Sequence, residues 1–338
     1  MSEGPARWRA WAPYVVAGAL AIVLVTVTAT RADEPSAAED VLGEKQLKIM
    51  APADPGGGWD QTSRAMQAAF EDLVGRSEVY NVGGAGGTIG LSQFAQLEGQ
   101  QNQLMTMGLV MVGAIAANKP DVTLDDVTPL ARLITDNQVI VVPKDSEIET
   151  VDDLTKAMED DLEGVSIAGG SAGGVEQILA GLLAQELGLE PADVNYIAHA
   201  GGGEAIATLL SGSATMGVSG ISEVKPQIDA GALRPIAVTS AERVDILPDV
   251  PTLKEEGVDV VVLNWRGVVA PPGITDEQEK ALEDLVMEMT ETDSWQEAIK
   301  REGWGDVALA GPEFEEYLDQ EQERIDKVIA DLGVGEVS

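Results

Sequence analysis

The feature that most constrains this chain is a junction it uses five times: a short β-rich run, a glycine cluster, then an apolar-periodic helix. The fullest copy is VYNVGGAGGTIG, residues 79–90. There Val79, Tyr80 and Val82 run into Gly83, Gly84, Gly86 and Gly87, and Thr88 and Ile89 lead on to Leu91, Phe94 and Leu97. The others are IMAPADPGGGWDQTSRAMQAAF (49–70), VSIAGGSAGGVEQILAGLL (165–183), VNYIAHAGGGEAIATLL (194–210) and the leaner MGVSGISEVKPQI (216–228). Without Cβ, a glycine loop can take positive φ and admit a ligand to its N–H groups. The helix behind it adds unpaired N–H groups and a positive dipole end, which suit an anion. One such loop is equally an ordinary βα turn with spare glycines; five aimed from successive strands form a pattern.

The spacing predicts strands over 47–53, 78–82 and 104–108, with helices over 61–74 and 89–97 between them. Such alternation argues a parallel sheet covered on both faces. A long β-rich run, 130–142, stops at Pro143 and is read as a crossing to a second α/β block. That block holds a helix at 151–162, three of the glycine junctions, the strand ALRPIAVT (232–239) and a short helix at 249–257, with proline early and Gly257 after its end. Two β-rich runs follow within 258–269, separated by 264–267. Residues 267–270 are read as the return crossing, and Arg266 beside them as a structural ion pair. The tail is helical, opened by a Thr275–Gln278 capping box. The expected division is a leader at 1–32, a linker at 33–46, lobe 1 over 47–142, lobe 2 over 143–265 and lobe 1 again over 266–338.

Totals narrow the function. The 338 residues carry 58 acidic against 21 basic side chains, a formal charge of −37, so nucleic acid is excluded as a partner, since phosphate backbones require clustered Lys and Arg. There is no cysteine and a single histidine, His199, which excludes thiolate chemistry and a multi-histidine metal centre. No cofactor and no metal are expected. Arg7 and Arg9 precede an uncharged run at 11–30, the mark of export, and that run also approaches the ~20 residues that span a bilayer. The leader is therefore either cleaved or kept as a membrane anchor, and the body is extracytoplasmic in both cases.

APADPGGGWD, NVGGAGGTIG, AHAGGGEA, GVSGISE, LRPIAVTSAERVDILPDVPTLKEEG and NWRGVVAPPG occur in this order, and together they resemble the Bug/TctC family, the extracytoplasmic solute-binding receptors of tripartite tricarboxylate transporters. The resemblance covers about 47–329, and the PDVPT segment after an AVTS strand is its most specific part. It implies an α/β, two-lobed periplasmic-binding-protein fold of the type II, clamshell kind, with two crossings between lobes. It also implies a non-enzymatic, monomeric receptor that captures a citrate-like di- or tricarboxylate and delivers it to the permease subunits in the membrane.

By position, the resemblance assigns one ligand carboxylate to Gly57, Gly58 and Trp59 in loop 55–60 and to Ala85, Gly86, Gly87 and Thr88 in loop 84–88. The second lobe then closes over the far end with Gly170, Ser171 and Ala172, with His199, Gly201 and Gly202, and with Ser219 and Gly220. Many relatives carry an aromatic residue where this chain has His199, which either donates to a further carboxylate or caps its loop. Trp59 is read as a wall of the cleft and Asp60 as the N-cap of the following helix.

Other readings fare less well. Gly169-Gly170-Ser171-Ala172-Gly173 matches the G-x-S-x-G nucleophile elbow, but a hydrolase also needs an acid and then a histidine. Here the single histidine, His199, follows Ser171 by 28 residues with Asp193 as the one intervening aspartate, too close for the usual order of strands. Ile89 stands where a G-x-G-x-x-G would need its last glycine, so a dinucleotide site is poorly supported. An aromatic carboxylate is the remaining alternative ligand.

Overall fold

The computed structural model describes residues 42–43, 45–199 and 202–334. The expected leader at 1–32, most of the linker at 33–46, and Gly201 lie outside the described residues. The first part of the chain builds β1 (Lys48–Ala51), α1 (Gly58–Val74), β2 (Glu78–Asn81), α2 (Thr88–Phe94), β3 (Gln103–Gly108), α3 (Leu109–Asn118) and β4 (Thr128–Pro143). The second lobe follows with α4 (Val151–Asp160), β5 (Ile167–Gly169), α5 (Val175–Glu186), β6 (Tyr196–Ala198), α6 (Gly202–Leu210), β7 (Met216–Gly220), α7 (Ile221–Asp229) and β8 (Leu233–Val238). The chain then returns through β9 (Leu263–Ala270) to α8 (Asp276–Thr290), α9 (Asp293–Glu302), β10 (Gly305–Ala310) and α10 (Pro312–Asp331).

The strands lie in the order β2-β1-β3-β9-β4-β7-β5-β6, with β8 and β10 also paired to β4. β4 holds the lobes together. Its 16 residues pair with β9 from Thr128 to Asn137, then with β7 and β8 from Gln138 onward. Within each lobe the outer strands are parallel, as expected: β1 with β2 and β3, and β5 with β6 and β7. At the centre the pairing is antiparallel, which the alternation of the outer strands does not foretell. β9 runs antiparallel to both β3 and β4, because it comes back from the second lobe while β4 goes out. β9 joins the first sheet from Leu263, so residues 264–267 are paired strand and not a break; the hand-over precedes it, where Val262 N donates to Thr239 O at 3.0 Å. The outward crossing is one continuous strand, whereas the return lies in the non-strand residues ahead of β9 and not at 267–270, and the lobe limits at 143 and 265 stand as a proposed division of one sheet.

Alternation along β4 divides its side chains between two cores. Val139 and Val141 face a core with Ile206, Leu209 and Val224, while Ile140 and Val142 face one with Val112, Ile178, Leu179, Phe314 and Ile325. That second core contains residues of both lobes. A third, with Phe70, Leu285 and Trp295, lies under α1, α8 and α9. Three local readings need correction. Residues 249–257 form turns, in which Thr252 and Glu255 cap each other, and not a helix. α3 went unseen because LVMVGAIAAN is apolar all round and shows no helical stripe. β10 went unseen as a strand before the last helix; it pairs antiparallel with β4.

Candidate functional site

The glycine loops meet between the lobes. In the first lobe α1 begins at Gly58 with Gly57 as its N-cap, so Asp60, expected as the cap, lies inside the first turn. Its carboxylate reaches back to Gly56 N at 2.8 Å and binds Arg64 Nε at 2.9 Å and Asn81 Nδ2 at 2.9 Å. Burial works against its charge, but these bonds outweigh burial and hold the carboxyl below its usual range. Among the described residues nothing accepts from the N–H groups of Gly58, Trp59 and Asp60. Trp59 is 9% exposed, and its ring lies where a Cβ on Gly87 would stand, 2.7 Å from it. The indole thus packs the first loop against the second.

The second loop holds the longest run of positive φ among the described residues. Gly84, Ala85, Gly86 and Gly87 have φ of 121°, 50°, 60° and 90° in succession. Successive positive φ turns neighbouring N–H groups toward one concavity, an arrangement that takes anions. Gly87 N donates to Gly84 O, and Thr88 Oγ1 donates to Ala85 O at 2.9 Å. Among the described residues the N–H groups of Gly84, Ala85 and Gly86 have no acceptor. Gly84 and Ala85 are exposed.

The second lobe differs. Its loops come to the same place: Ser171 Oγ lies 3.7 Å from where a Cβ on Gly86 would be, and Gly113 of α3 packs on Gly173 O. Yet its glycine loops are filled by the protein's own side chains. Gly173 N donates to Gln177 Oε1 at 2.8 Å, and Gly174 N to Ser171 O at 2.9 Å. The Glu176 carboxylate lies 3.4 Å from where a Cβ on Gly170 would be, and the Gly170 N–H favours its charged form. Glu223 Oε2 occupies the space a Cβ on Gly202 would need and accepts from Ser219 Oγ at 3.4 Å. Ala172 is exposed. His199 Nδ1 donates to Gly169 O at 3.0 Å, and Nε2 lies 2.7 Å from Thr208 Oγ1. Both ring nitrogens therefore fasten His199 to its own lobe, and neither bonds Ser171.

The floor between the lobes is polar and buried. Arg266 on β9 and Asp136 on β4, 3% and 2% exposed, form an ion pair, as expected for Arg266. Arg266 Nη1 also donates to Gly58 O and Thr62 Oγ1, each at 3.1 Å. Its guanidinium fills the space a side chain on Gly58 would need, and Asp136 Oδ2 lies 2.9 Å from where a Cβ on Gly220 would be. Burial lifts the Asp136 carboxyl above its ordinary range despite Arg266. Burial, then the charge of Asp136, does the same to Glu223. Glu176, half-buried against its loop and near Glu223, is pushed up to about 7.

Asp136, Glu176 and Glu223 were missed from the sequence. A signal was present for two of them. Each sits in the first turn of a helix just after a glycine cluster, where a carboxylate reaches back to the loop's amides.

Comparison with known proteins completes the picture. The family model described as the tripartite tricarboxylate transporter family receptor matches residues 63–334. Protein BugT of Bordetella pertussis is 24% identical over 324 residues, covering 93% of this chain and 97% of BugT. Among solved structures, Rpa4515 of Rhodopseudomonas palustris with adipate superposes with a TM-score of 0.75 at 22% identity, over 86% of this chain and 97% of that one. MatC (Rpa3494) of the same species with bound malate gives 0.71 at 23% identity, over 84% and 98%.

Proposed function

The chain belongs to the tripartite tricarboxylate transporter receptor family, and on that premise we propose that it captures a small organic acid between its lobes and hands it to the membrane permease subunits. The observation that carries this reading is the run of unengaged N–H groups in the first lobe, at Gly58, Trp59 and Asp60 and at Gly84, Ala85 and Gly86. A carboxylate against such donors gains charge-assisted bonds worth about 1.5–3 kcal/mol each. A few suffice for micromolar affinity, about −8 kcal/mol, after association costs. Gly57, Gly87 and Thr88 shape that subsite. Gly170, Ser171, Ala172, Gly202, Ser219 and Gly220 face it from the other lobe, behind the carboxyls that fill their loops, and His199 holds one of those loops in place.

The acid bound to neighbours supports the ligand class: MatC was solved with malate and Rpa4515 with adipate. Export by the N-terminal segment, action outside the cytoplasm, a monomeric state and the absence of turnover belong to the same reading. Among the described residues no helix is long and apolar enough to cross a membrane. The test is calorimetry of the purified body against malate, adipate and citrate, with an ester-hydrolysis assay alongside. One-to-one binding of at least one acid without hydrolysis is expected. No binding across the panel, or ester hydrolysis lost in Ser171→Ala, would overturn the reading.

A further inference from the structure

The two lobes do not offer the same chemistry to a ligand, and the difference bears on what its far end must be. On the first lobe the gap meets N–H groups. On the second it meets carboxyls: Glu176 at the start of α5 and Glu223 in the first turn of α7, both partly exposed. The nearby cation, Arg266, is already paired with Asp136 and bonded to Gly58 O and Thr62 Oγ1. Among the described residues no lysine or arginine pairs with Glu176 or Glu223.

A separate observation points the same way. Gln138 stands on the same face of β4 as Asp136, in register with Gly220, whose open side meets the Asp136 carboxylate. Its Nε2 is held by Asp136 O at 3.1 Å, but its Oε1, on a side chain 1% exposed, accepts from nothing among the described residues. A buried acceptor without a donor costs about 1–3 kcal/mol. The corner at the end of β7 thus contains two carboxyls without an ion-pair partner, Glu176 met by loop N–H groups and Glu223 by Ser219 Oγ and the more distant charge of Arg266, and an amide oxygen without a donor.

We infer that Glu223 and Glu176 select a ligand whose far end is an ammonium group, so that the preferred acid carries one carboxylate and one amine instead of a second carboxylate. The inference rests on the proposal that the first-lobe amides hold the near carboxylate. The ammonium supplies donors to Glu176 and Glu223 and brings positive charge to a corner whose nearby arginine is already committed to Asp136. A second carboxylate in the same place would meet like charge at close range. A tricarboxylate such as citrate is then the poorest fit of the acids considered.

The experiment compares matched pairs that share chain length and the near carboxylate: γ-aminobutyrate against glutarate, and δ-aminovalerate against adipate. Calorimetry is run near pH 8, above the value of about 7 to which Glu176 is pushed. The amino acid of each pair is expected to bind at least about tenfold more tightly. Glu223→Gln and Glu176→Gln, each checked for an intact melting transition, are expected to shrink that ratio by about tenfold by weakening the amino acid and strengthening the diacid. Tighter binding of the diacids by the unaltered protein, or an unchanged ratio in both variants, overturns the inference while leaving carboxylate capture intact. Failure of both members of both pairs overturns the underlying reading as well.

Discussion

Glu176 shows how much one side chain can reveal about the gap between the lobes. Burial, then the charge of Glu223 and of Asp136, pushes its carboxyl to about 7, against the Gly170 N–H and its own N–H, which favour ionisation. Tyr196, whose hydroxyl donates to Gly170 O at 3.0 Å, and His199, on Gly169 O, are the other titratable groups facing this loop. A carboxyl raised by folding binds more protons in the native state than in the unfolded one. Its contribution to stability is therefore full below the unfolded value, near 4.3, and falls as pH rises through about 7. Glu176→Gln removes the penalty and keeps an acceptor for the Gly170 N–H. Its melting temperature is expected to exceed that of the unaltered protein near pH 8, with the gap closing toward about pH 5. A gap independent of pH, measured by thermal melts across that range, would contradict this account of Glu176. Ligand binding carries the matching signature. A diacid is expected to bind more tightly as pH falls from about 8 to 6, because the second lobe loses negative charge.

Among the elements, loop 84–88 is the one whose shape matters most. Ala85 at φ 50° is one of two described non-glycine residues with positive φ. Holding an L-residue there costs about 1–2 kcal/mol. Ala85→Gly is expected to stabilise the protein by about 1 kcal/mol in denaturant titrations, and a loss of stability would show that the loop is not strained. That loop was legible in the sequence because its glycines cluster between a β-rich run and a periodic helix. So were the Thr275–Gln278 capping box, the long crossing strand ending at Pro143, and the two-lobed plan. What was not legible depended on long-range contact. α3 has no polar face to set its period, since it is apolar all round, with Leu109, Met111 and Val112 buried in the shared core and Val110, Ile115 and Ala116 partly buried against it. The antiparallel centre arises from two crossings meeting, which no local window contains. In the site, Gly170, Gly202 and Gly220 were visible as bare loops. That Glu176, Glu223 and Asp136 fill the space beside them follows from helix starts and strand register brought together by the fold.

At the scale of the whole molecule, charge and connectivity set the terms of capture. A formal charge of −37 repels an incoming anion, and screening over a Debye length that falls from about 30 Å to about 8 Å between dilute and physiological salt relieves it. The association rate of adipate, followed by stopped flow, is expected to rise with salt; a fall would mean that a local positive field steers the ligand. The lobes share a core, and α10 straps them. On the first lobe Phe314 meets Trp265 edge-on, and on the second Leu332 sits on Gly181 while Gln185 Nε2 donates to Asp331 Oδ2 at 2.8 Å. Closure on ligand is thus a movement about β4 and β9 of lobes already joined along one side. The central claim is that main-chain amides of the first lobe, and no lysine or arginine, receive the acid group. A crystal structure with the tightest-binding acid of the panels tests it most directly. The account predicts carboxylate oxygens within hydrogen-bond distance of the N–H groups of Gly84, Ala85 or Gly86 and of the first turn of α1. An acid group seated against the second lobe, or bound outside the gap with those N–H groups turned to solvent, would contradict it.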